Sequence, residues 1–179
     1  MAWTAPMTAI PNTVFTAAQF NTHVRDNLNE TAPAKATMAS SHFVGVGPNE
    51  IVERMSQSNN ITATESTTST SYTDLATVGP TVATATGNSA IVFIRAGIEN
   101  TIANEASFMA FDVTGASSLP TNDASAINID GLAANSRFRM GSAYMINSLT
   151  AGVNTFTAKY KVSAGTGGFT QRQLAVFPL

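Results

Sequence analysis

The stretch that decides the fold is VNTFTAKYKV, residues 153–162. Alternate residues of this stretch are mostly apolar: Asn154, Phe156, Ala158, Tyr160 and Val162. In an extended strand these side chains share one face, and the polar side chains between them share the other. The alternation therefore predicts a β-strand with one buried face and one solvated face, which is typical of antiparallel sheets.

Similar short runs, rich in β-branched and aromatic residues, recur along the chain after Lys35. We predict strands at 42–46, 50–55, 61–65, 72–78, 81–85, 90–99, 107–113, 126–129, 137–146, 154–162 and 172–176. Gly-, Pro- and Asn-containing turns separate many of them. Many short strands at this spacing predict a mainly β fold, an antiparallel β-sandwich of the jelly-roll type.

Two segments depart from simple alternation. Residues 59–71 are nearly all Asn, Thr and Ser, which fits an exposed edge strand or a surface loop, and the Thr content favours a partly ordered edge. At 172–177 the two faces are similar in character: Arg172, Leu174 and Val176 oppose Gln173, Ala175 and Phe177. A central strand of a tight assembly, covered on both faces, would have such a sequence.

Before the predicted strands, the residue pattern of one segment predicts a short helix. Thr16 and Gln19 are spaced as a capping box, and Phe15 and Phe20 are spaced as a hydrophobic staple around it. Pro33 cannot continue the helix. The α-helix and the arm before it therefore precede the β-sandwich.

The predicted helix carries a narrow apolar stripe. Phe20, Val24 and Leu28 are four residues apart and share one face. Because a lone helix of about a dozen residues is marginal in water, the stripe needs a partner: the β-domain, a second copy or another protein. The change of period divides the chain into an N-terminal arm and anchoring helix, 1–36, and a β-domain, 37–179.

The composition excludes several function classes. Charged residues make up 11% of the chain, against a usual ~25%, and the net charge is −2. Scattered Lys and Arg give no footprint for nucleic acid, and no apolar run is long enough for membrane insertion. The absence of cysteine excludes disulfides and thiolate sites. So few charges suit a protein that works inside an assembly.

Residues that could carry chemistry lack a recognisable pattern. His23 lies near Asp26 and Asn27 on the predicted helix; a metal or acid–base site is one interpretation, and an interface helix with local hydrogen bonds is the favoured one. We interpret His42 as structural and the glycines of 165–168 as a hairpin turn. A calcium ion between loops remains open. We predict no enzymatic activity, cofactor or metal.

The N-terminal residues resemble a known family. Residues 3–6 (Trp-Thr-Ala-Pro), 16–17 (Thr-Ala) and 21–28 (Asn-Thr-His-Val-Arg-Asp-Asn-Leu) resemble the N-terminal signature of virion structural proteins from actinobacteriophages and prophages. These are described as minor tail, tail-fibre or head-decoration proteins. More weakly, residues 149–160 and 176–179 resemble the last hairpin of phage jelly-roll domains.

The resemblance implies a virion component that is assembled in the host cytoplasm and is a homotrimer. Its N-terminal segment would attach to other virion proteins of the tail or capsid, and its β-domain would project. Since the chain lacks collagen-like repeats, heptads and a shaft, a short tail-associated appendage is favoured over a long fibre. A capsid decoration protein is the alternative.

A third possibility is a carbohydrate-binding module that recognises a host-surface glycan. Such a module needs exposed aromatic side chains, and the candidates, Tyr72, Phe108, Tyr144 and Phe169, each fit the core better. For the attachment, we expect the apolar contact from one set of residues and its orientation from the pair Arg25 and Asp26. The apolar set is Trp3, Phe15, Phe20, Val24 and Leu28.

Overall fold

The computed structural model describes residues 4–5, 7–8, 10–30, 41–45 and 51–179. Contacts within the chain divide it into two compact units, Met1–Met55 and Ser56–Leu179. The change of period in the sequence predicts a boundary after residue 36, whereas these contacts divide the chain after Met55. The first two strands therefore belong to the first unit.

The first unit contains the predicted helix. It begins as α1 (Ala17–Phe20), continues through a π-helical turn (Asn21–Arg25) and ends as α2 (Asp26–Asn29). The strands β1 (Ser41–Gly45) and β2 (Ile51–Met55) form an antiparallel pair. The predicted stop at Pro33 lies outside the described residues.

The second unit consists of nine strands and one 3₁₀ turn, Asp123–Ser125. The strands are β3 (Gln57–Ile61), β4 (Glu65–Thr67), β5 (Thr81–Thr86), β6 (Ala90–Asn100), β7 (Ser107–Gly115), β8 (Ile127–Ile129), β9 (Phe138–Ile146), β10 (Gly152–Val162) and β11 (Gly167–Pro178). One sheet has the order β5-β10-β7-β8, and the other has the order β3-β11-β6-β9, with β4 also paired to β11. Every pairing is antiparallel. The predicted mainly β, antiparallel sandwich is confirmed.

The core lies between the two sheets, and β10 alternates as its sequence predicts. Its residues from Asn154 to Val162 are buried at every second position, and the residues between them are partly exposed. The largest wholly buried apolar side chains come from four strands: Val92, Ile94, Ile98, Met109, Val113, Phe156, Tyr160, Val162, Phe169, Leu174 and Val176. Residues 59–71 contribute to β3 and β4, so the partly ordered edge is also confirmed. The predicted strand at 61–65 is wrong, because residues 62–64 lie between β3 and β4.

The predicted hairpin turn at 165–168 is wrong. β10 pairs with β5 and β7, whereas β11 pairs with β3, β4 and β6. The connection therefore crosses from one sheet to the other. Gly165 adopts φ +73°, a left-handed conformation that favours glycine, and Gly167 leaves no room for a Cβ beside the side chain of Val162. Gly165 and Gly167 therefore permit the tight connection from one sheet to the other.

The predicted strand at 72–78 is also wrong. Only Thr73 forms a ladder contact, to Tyr160 of β10, and the chain then leaves the sheet. Tyr72 donates to Asp123 of the 3₁₀ turn, and Asp74 accepts from Lys159 of β10. Two backbone hydrogen bonds between Thr73 and Tyr160, together with these side-chain contacts, therefore attach this segment to the sheet.

Candidate interaction surfaces

The helix of the first unit begins as its sequence predicts. The backbone N–H of Gln19 donates to the Thr16 hydroxyl at 3.2 Å, and the Thr16 N–H donates to the Gln19 side chain at 2.9 Å. Phe15 and Phe20 meet edge to face, with ring centroids 6.1 Å apart. Both the capping box and the hydrophobic staple are confirmed.

Several predicted attachment residues are exposed in the structure. Phe15 is 51% exposed, Phe20 49% and Leu28 61%, while Val24 is half-buried. Trp3 lies outside the described residues. Beside Phe15, a groove of about 300 Å³ is lined by Met7, Ile10, Thr13 and Val14. The start of the helix and the arm before it thus present an apolar surface.

The predicted polar pair of the helix is formed. The Arg25 guanidinium contacts the Asp26 carboxylate at 2.8 Å through Nε and Nη2. Because these neighbours bind each other at the surface, their contribution to the stability of the unit is small. Their role in orienting an attachment stays a prediction.

Two side chains of the helix hold the N-terminal arm. The Asn27 amide accepts a bond from the Thr4 N–H at 2.9 Å and donates to the Thr4 carbonyl at 3.0 Å. His23 Nδ1 lies 3.1 Å from the Ala5 carbonyl oxygen. Asn27 is buried. The sequence interpretation of local hydrogen bonds missed this clamp, although the four-residue spacing of His23 and Asn27 put both on one face.

The outer side of the five-stranded sheet carries an apolar face: Ile91, Phe93, Ala143, Met145, Ala175 and Phe177. Phe93 and Phe177 contact edge to face, with centroids 5.5 Å apart, and are 44% and 40% exposed. Small residues beside them, including Gly141 and Ala143, leave an open hollow of about 420 Å³. The charged neighbours on this side include Arg95, which lines the hollow.

The β9 edge of the same sheet exposes apolar side chains on the inner side as well. β9 pairs with β6 and with no other described strand. Phe138 and Met140 alternate onto the inner side, yet they are 50% and 37% exposed. The edge strand of the opposite sheet, β8, has three residues, so it is too short to cover them.

The outer side of the four-stranded sheet carries a charged face: Asp74, Asp112, Asp123, Lys159 and Lys161. Lys159 Nζ lies 2.8 Å from Asp74 and 3.7 Å from Asp112. Burial raises the pKa of Asp112 above its ordinary value, and Asp74 adds to the rise, while Lys159 opposes it. The proton affinity of this carboxyl is therefore set by a crowded, partly desolvated site.

Lys161 sits between two aromatic rings on the charged face. Its Nζ lies 4.8 Å from the centroids of both Tyr72 and Phe108 and 2.8 Å from Asp123. The hydrogen bond from Lys161, followed by one from Tyr72, lowers the pKa of the Asp123 carboxyl. Burial and Asp123 raise the pKa of Tyr72. The cation is held by cation–π contact and by an ion pair.

This arrangement settles where the four candidate aromatic residues lie. Phe169 is wholly buried and Tyr144 packs against the core, with its hydroxyl donating to the Ala126 carbonyl at 2.7 Å. The expectation that Tyr72 and Phe108 belong to the core is wrong, because they enclose Lys161 on the outer side. The exposed aromatic rings are instead those of Phe93, Phe138 and Phe177 in the second unit.

A wholly buried cation lies inside the sandwich and pairs with a partly exposed carboxylate. Arg172 is wholly buried, and its Nη2 lies 3.1 Å from Glu65, while its guanidinium lies 5.5 Å from the Tyr160 ring centroid. The Thr77 hydroxyl donates to Glu65. This bond, together with Arg172, holds the pKa of the Glu65 carboxyl below its ordinary value. No pattern in the sequence indicated that Arg172 would face the core, since alternation alone does not choose a face.

Across the described ranges, no group of three or more His, Cys, Asp and Glu side chains is placed to hold a metal ion. No helix in the described part of the chain is both long and apolar enough to cross a membrane.

No protein-family model and no curated protein matches the chain. Two structures of infectious bursal disease virus, the VP2 subviral particle and the Gx strain, match 74% of it with TM-scores of 0.48 and 0.44, at 13% and 14% identity. The chain spans about a third of those chains, 36% and 35%. A carbohydrate binding module of Cellvibrio mixtus lichenase 5A, solved with cellotriose, matches with a TM-score of 0.31 at 12% identity, over 83% of this chain and 94% of the module. These are distant likenesses.

Proposed function

We propose that the chain is a non-enzymatic structural protein of a bacteriophage particle, a short tail-associated appendage attached through its N-terminal unit. The observation that carries the proposal is the apolar surface at the start of the helix, where Phe15 and Phe20 are half exposed. The resemblance of residues 3–6 and 21–28 to phage virion proteins supports the choice of particle.

The energetics of this surface favour a docked state. At roughly 200 Å² per phenylalanine side chain, the exposed halves of Phe15 and Phe20 present about 200 Å². Burying that area contributes about 5 kcal/mol to the free energy of binding. Part of this contribution offsets the entropic cost of association. The helix itself is too short to be stable alone in water. Attachment would thus stabilise the helix and bury its staple in one step.

The clamp on the arm supports the same role. Asn27 binds both backbone groups of Thr4, and His23 approaches the Ala5 carbonyl. Thr4 and Ala5 of the first part that resembles the phage family are therefore in contact with His23 and Asn27 of the second. A fixed arm reduces the entropy that the segment loses when it docks.

The attachment is tested with a pair of double variants. Phe15→Ser with Phe20→Ser removes the exposed rings, and we expect loss of the protein from purified particles, measured by immunoblot. The control, Ala18→Ser with Asn29→Ser, changes exposed residues of the same helix and should be incorporated normally. Thermal unfolding of both purified variants checks that the β-unit is intact. Normal incorporation of the double Phe variant would contradict the proposal.

The position on the particle is tested by electron microscopy with an antibody against the β-unit. Label at the tail supports the appendage. Label over the head instead makes the chain a capsid decoration protein, with the same N-terminal unit as its attachment. Absence of label from purified particles that are known to come from the encoding phage removes the virion role.

A further inference from the structure

Two arginines of the second unit stand apart from its other cations. Most Lys and Arg side chains of this unit lie against a carboxylate: Lys159, Lys161, Arg137 and Arg172. The exceptions are Arg95 and Arg139, which have no described carboxylate within ion-pair distance and are exposed. Glu99, on the same side of the sheet, is already held by Arg137 at 2.7 Å.

The two unpaired arginines are neighbours on the outer side of the five-stranded sheet. Arg95 of β6 lies opposite Gly141 of β9, and Arg139 of β9 lies opposite Gly97 of β6. They are thus diagonal neighbours, with about 7 Å between their Cα atoms. Because each faces a glycine, neither has a side chain directly opposite it on that strand. Two like charges placed so close repel each other, and an anionic group between them would relieve the repulsion.

Exposed aromatic rings adjoin this pair of cations. Phe93 lies two residues before Arg95 on the same strand and side of the sheet, about 7 Å away along the backbone. Phe177 contacts Phe93 edge to face. We propose that this side of the sheet binds an acidic polysaccharide, with its carboxylates on Arg95 and Arg139 and its sugar rings against the two phenylalanines.

The chemistry of such a polysaccharide matches both parts of the surface. The guanidinium group presents a planar fork of N–H donors that fits a carboxylate through two hydrogen bonds. One face of a sugar ring presents C–H groups, which pack against the negatively polarised face of an aromatic ring. A uronic acid carries both groups on one ring.

The space and the neutral polar groups beside Phe93 suit a sugar as well. The hollow of about 420 Å³ is lined by Phe93, Arg95 and Gln173, and its size lies in the range of about 300–1,000 Å³ that is usual for ligand sites. Gln173 lies opposite Arg95, and Asn60 lies opposite Gln173. The Asn60 side chain is exposed, and that of Gln173 is half-buried. Amide groups can both donate hydrogen bonds to sugar hydroxyls and accept bonds from them.

The same surface fits a single-stranded nucleic acid less well. Such strands stack successive bases on successive aromatic rings and need a positive groove along the backbone. The rings of Phe93 and Phe177 are inclined at 71°, so they do not form parallel platforms for two bases. Arg95 and Arg139 supply only a short positive patch in a chain with a net charge of −2.

This binding activity goes beyond the proposed function. The residues that attach the chain to the particle belong to the first unit, and the sugar-binding surface belongs to the second. Binding is measured on the purified full chain without any phage particle. Failure of attachment and failure of glycan binding are therefore separate results.

The charge requirement is tested by titration calorimetry with matched probes. Oligogalacturonate and hyaluronan fragments carry carboxylates, and their methyl esters keep the same sugar rings without the charge. We expect the full chain to bind an acidic probe, more weakly as NaCl is added, and not to bind its ester. Absence of binding to both acidic probes, or equal binding of the esters, would overturn the proposal. So would tighter binding of a single-stranded DNA of equal charge.

Single substitutions locate the site. Arg95→Gln and Arg139→Gln should each weaken binding about tenfold or more, because each removes hydrogen bonds to a charged group. The control, Lys161→Gln, removes one positive charge from the other sheet and should change affinity by less than about twofold. Phe93→Leu keeps an apolar side chain but removes the ring, and should weaken binding about threefold or more.

Thermal unfolding separates loss of the site from loss of the fold. Since Arg95 and Arg139 have no carboxylate partner among the described residues, each Gln variant should unfold at the temperature of the unmodified chain or above it. Unchanged affinity in both Arg variants, or an equal loss in Lys161→Gln, would contradict the assignment of the site. A loss of affinity that is accompanied by a lower unfolding temperature in both Arg variants would contradict it as well.

Discussion

The two sheets of the sandwich expose different side chains on their outer sides. The four-stranded sheet places Lys159 and Lys161 outside, each beside a carboxylate. The five-stranded sheet places Phe93 and Phe177 outside and turns the cation of its central strand, Arg172, into the core. The same alternation thus gives the four-stranded sheet a charged outer face and the five-stranded sheet exposed phenylalanines on its outer face, while both sheets turn mainly apolar side chains into the core.

The largest loss of stability is expected when the inward-pointing guanidinium of Arg172 loses its partner. Glu65→Ala leaves Arg172 buried without its carboxylate partner, and we expect a loss of about 3 kcal/mol of unfolding free energy in urea, the low end for a broken buried pair because water reaches Glu65. Asp130→Ala, at an exposed position, is the control and should change stability by less than about 0.5 kcal/mol.

The pH dependence of this pair has a defined sign. The folded-state pKa of Glu65 is lowered from its ordinary 4.5, first by the Thr77 hydroxyl and then by Arg172. Its contribution is therefore present above pH 4.5 and is lost as the pH falls through the folded-state value. The acid limb of the stability profile should be shallower in Glu65→Ala, and an unchanged limb would argue against the pair.

A smaller loss of stability is expected from a substitution on the charged face. Lys161→Met keeps an unbranched side chain but removes the ion pair with Asp123 and the cation–π contacts with Tyr72 and Phe108. Because Asp123 is 59% exposed, we expect the loss to be at most about 1 kcal/mol. The difference from the unmodified chain should shrink in 1 M NaCl, where the screening length is about 3 Å. A loss that is insensitive to salt would mean that packing, not charge, dominates there.

The smallest effect is expected at Asp112. Burial raises its folded-state pKa above the ordinary 3.8, so its contribution is favourable below pH 3.8 and is lost as the pH rises through the folded-state value. At pH 7 the partly buried carboxylate is charged and therefore destabilises the fold. Asp112→Asn removes this cost, and we expect the free energy of unfolding at pH 7 to rise by less than about 0.5 kcal/mol. Calorimetry at pH 7 and pH 4 measures the difference in stability between this variant and the unmodified chain. A variant that is less stable at pH 7 would show that the contact with Lys159 outweighs burial.

Local patterns in the sequence predicted local structure well. The capping box at Thr16, the staple of Phe15 with Phe20 and the alternation of β10 depend on neighbours within a few residues, and all are confirmed. Strand pairing depends on residues far apart in the chain. For that reason the hairpin at 165–168 and the strand at 72–78 were wrong.

The candidate surfaces were predicted less completely, for a similar reason. The equal faces of 172–177 indicated a strand covered on both sides, but not that Arg172 would be the inward residue. Exposure of Phe138 depends on the shortness of β8 across the sandwich, which no pattern within β9 records. The clamp between Asn27 and Thr4 spans 23 residues.

The places of β10 and β11 have a consequence for synthesis. Each is an interior strand of its sheet, with described strands on both sides, and both leave the ribosome after every other strand of the second unit. The earlier strands therefore emerge without the neighbours that join β5 to β7 and β3 to β6. The second unit must fold late, through contacts between distant residues that form slowly, and a product truncated before Gly152 would leave both sheets split.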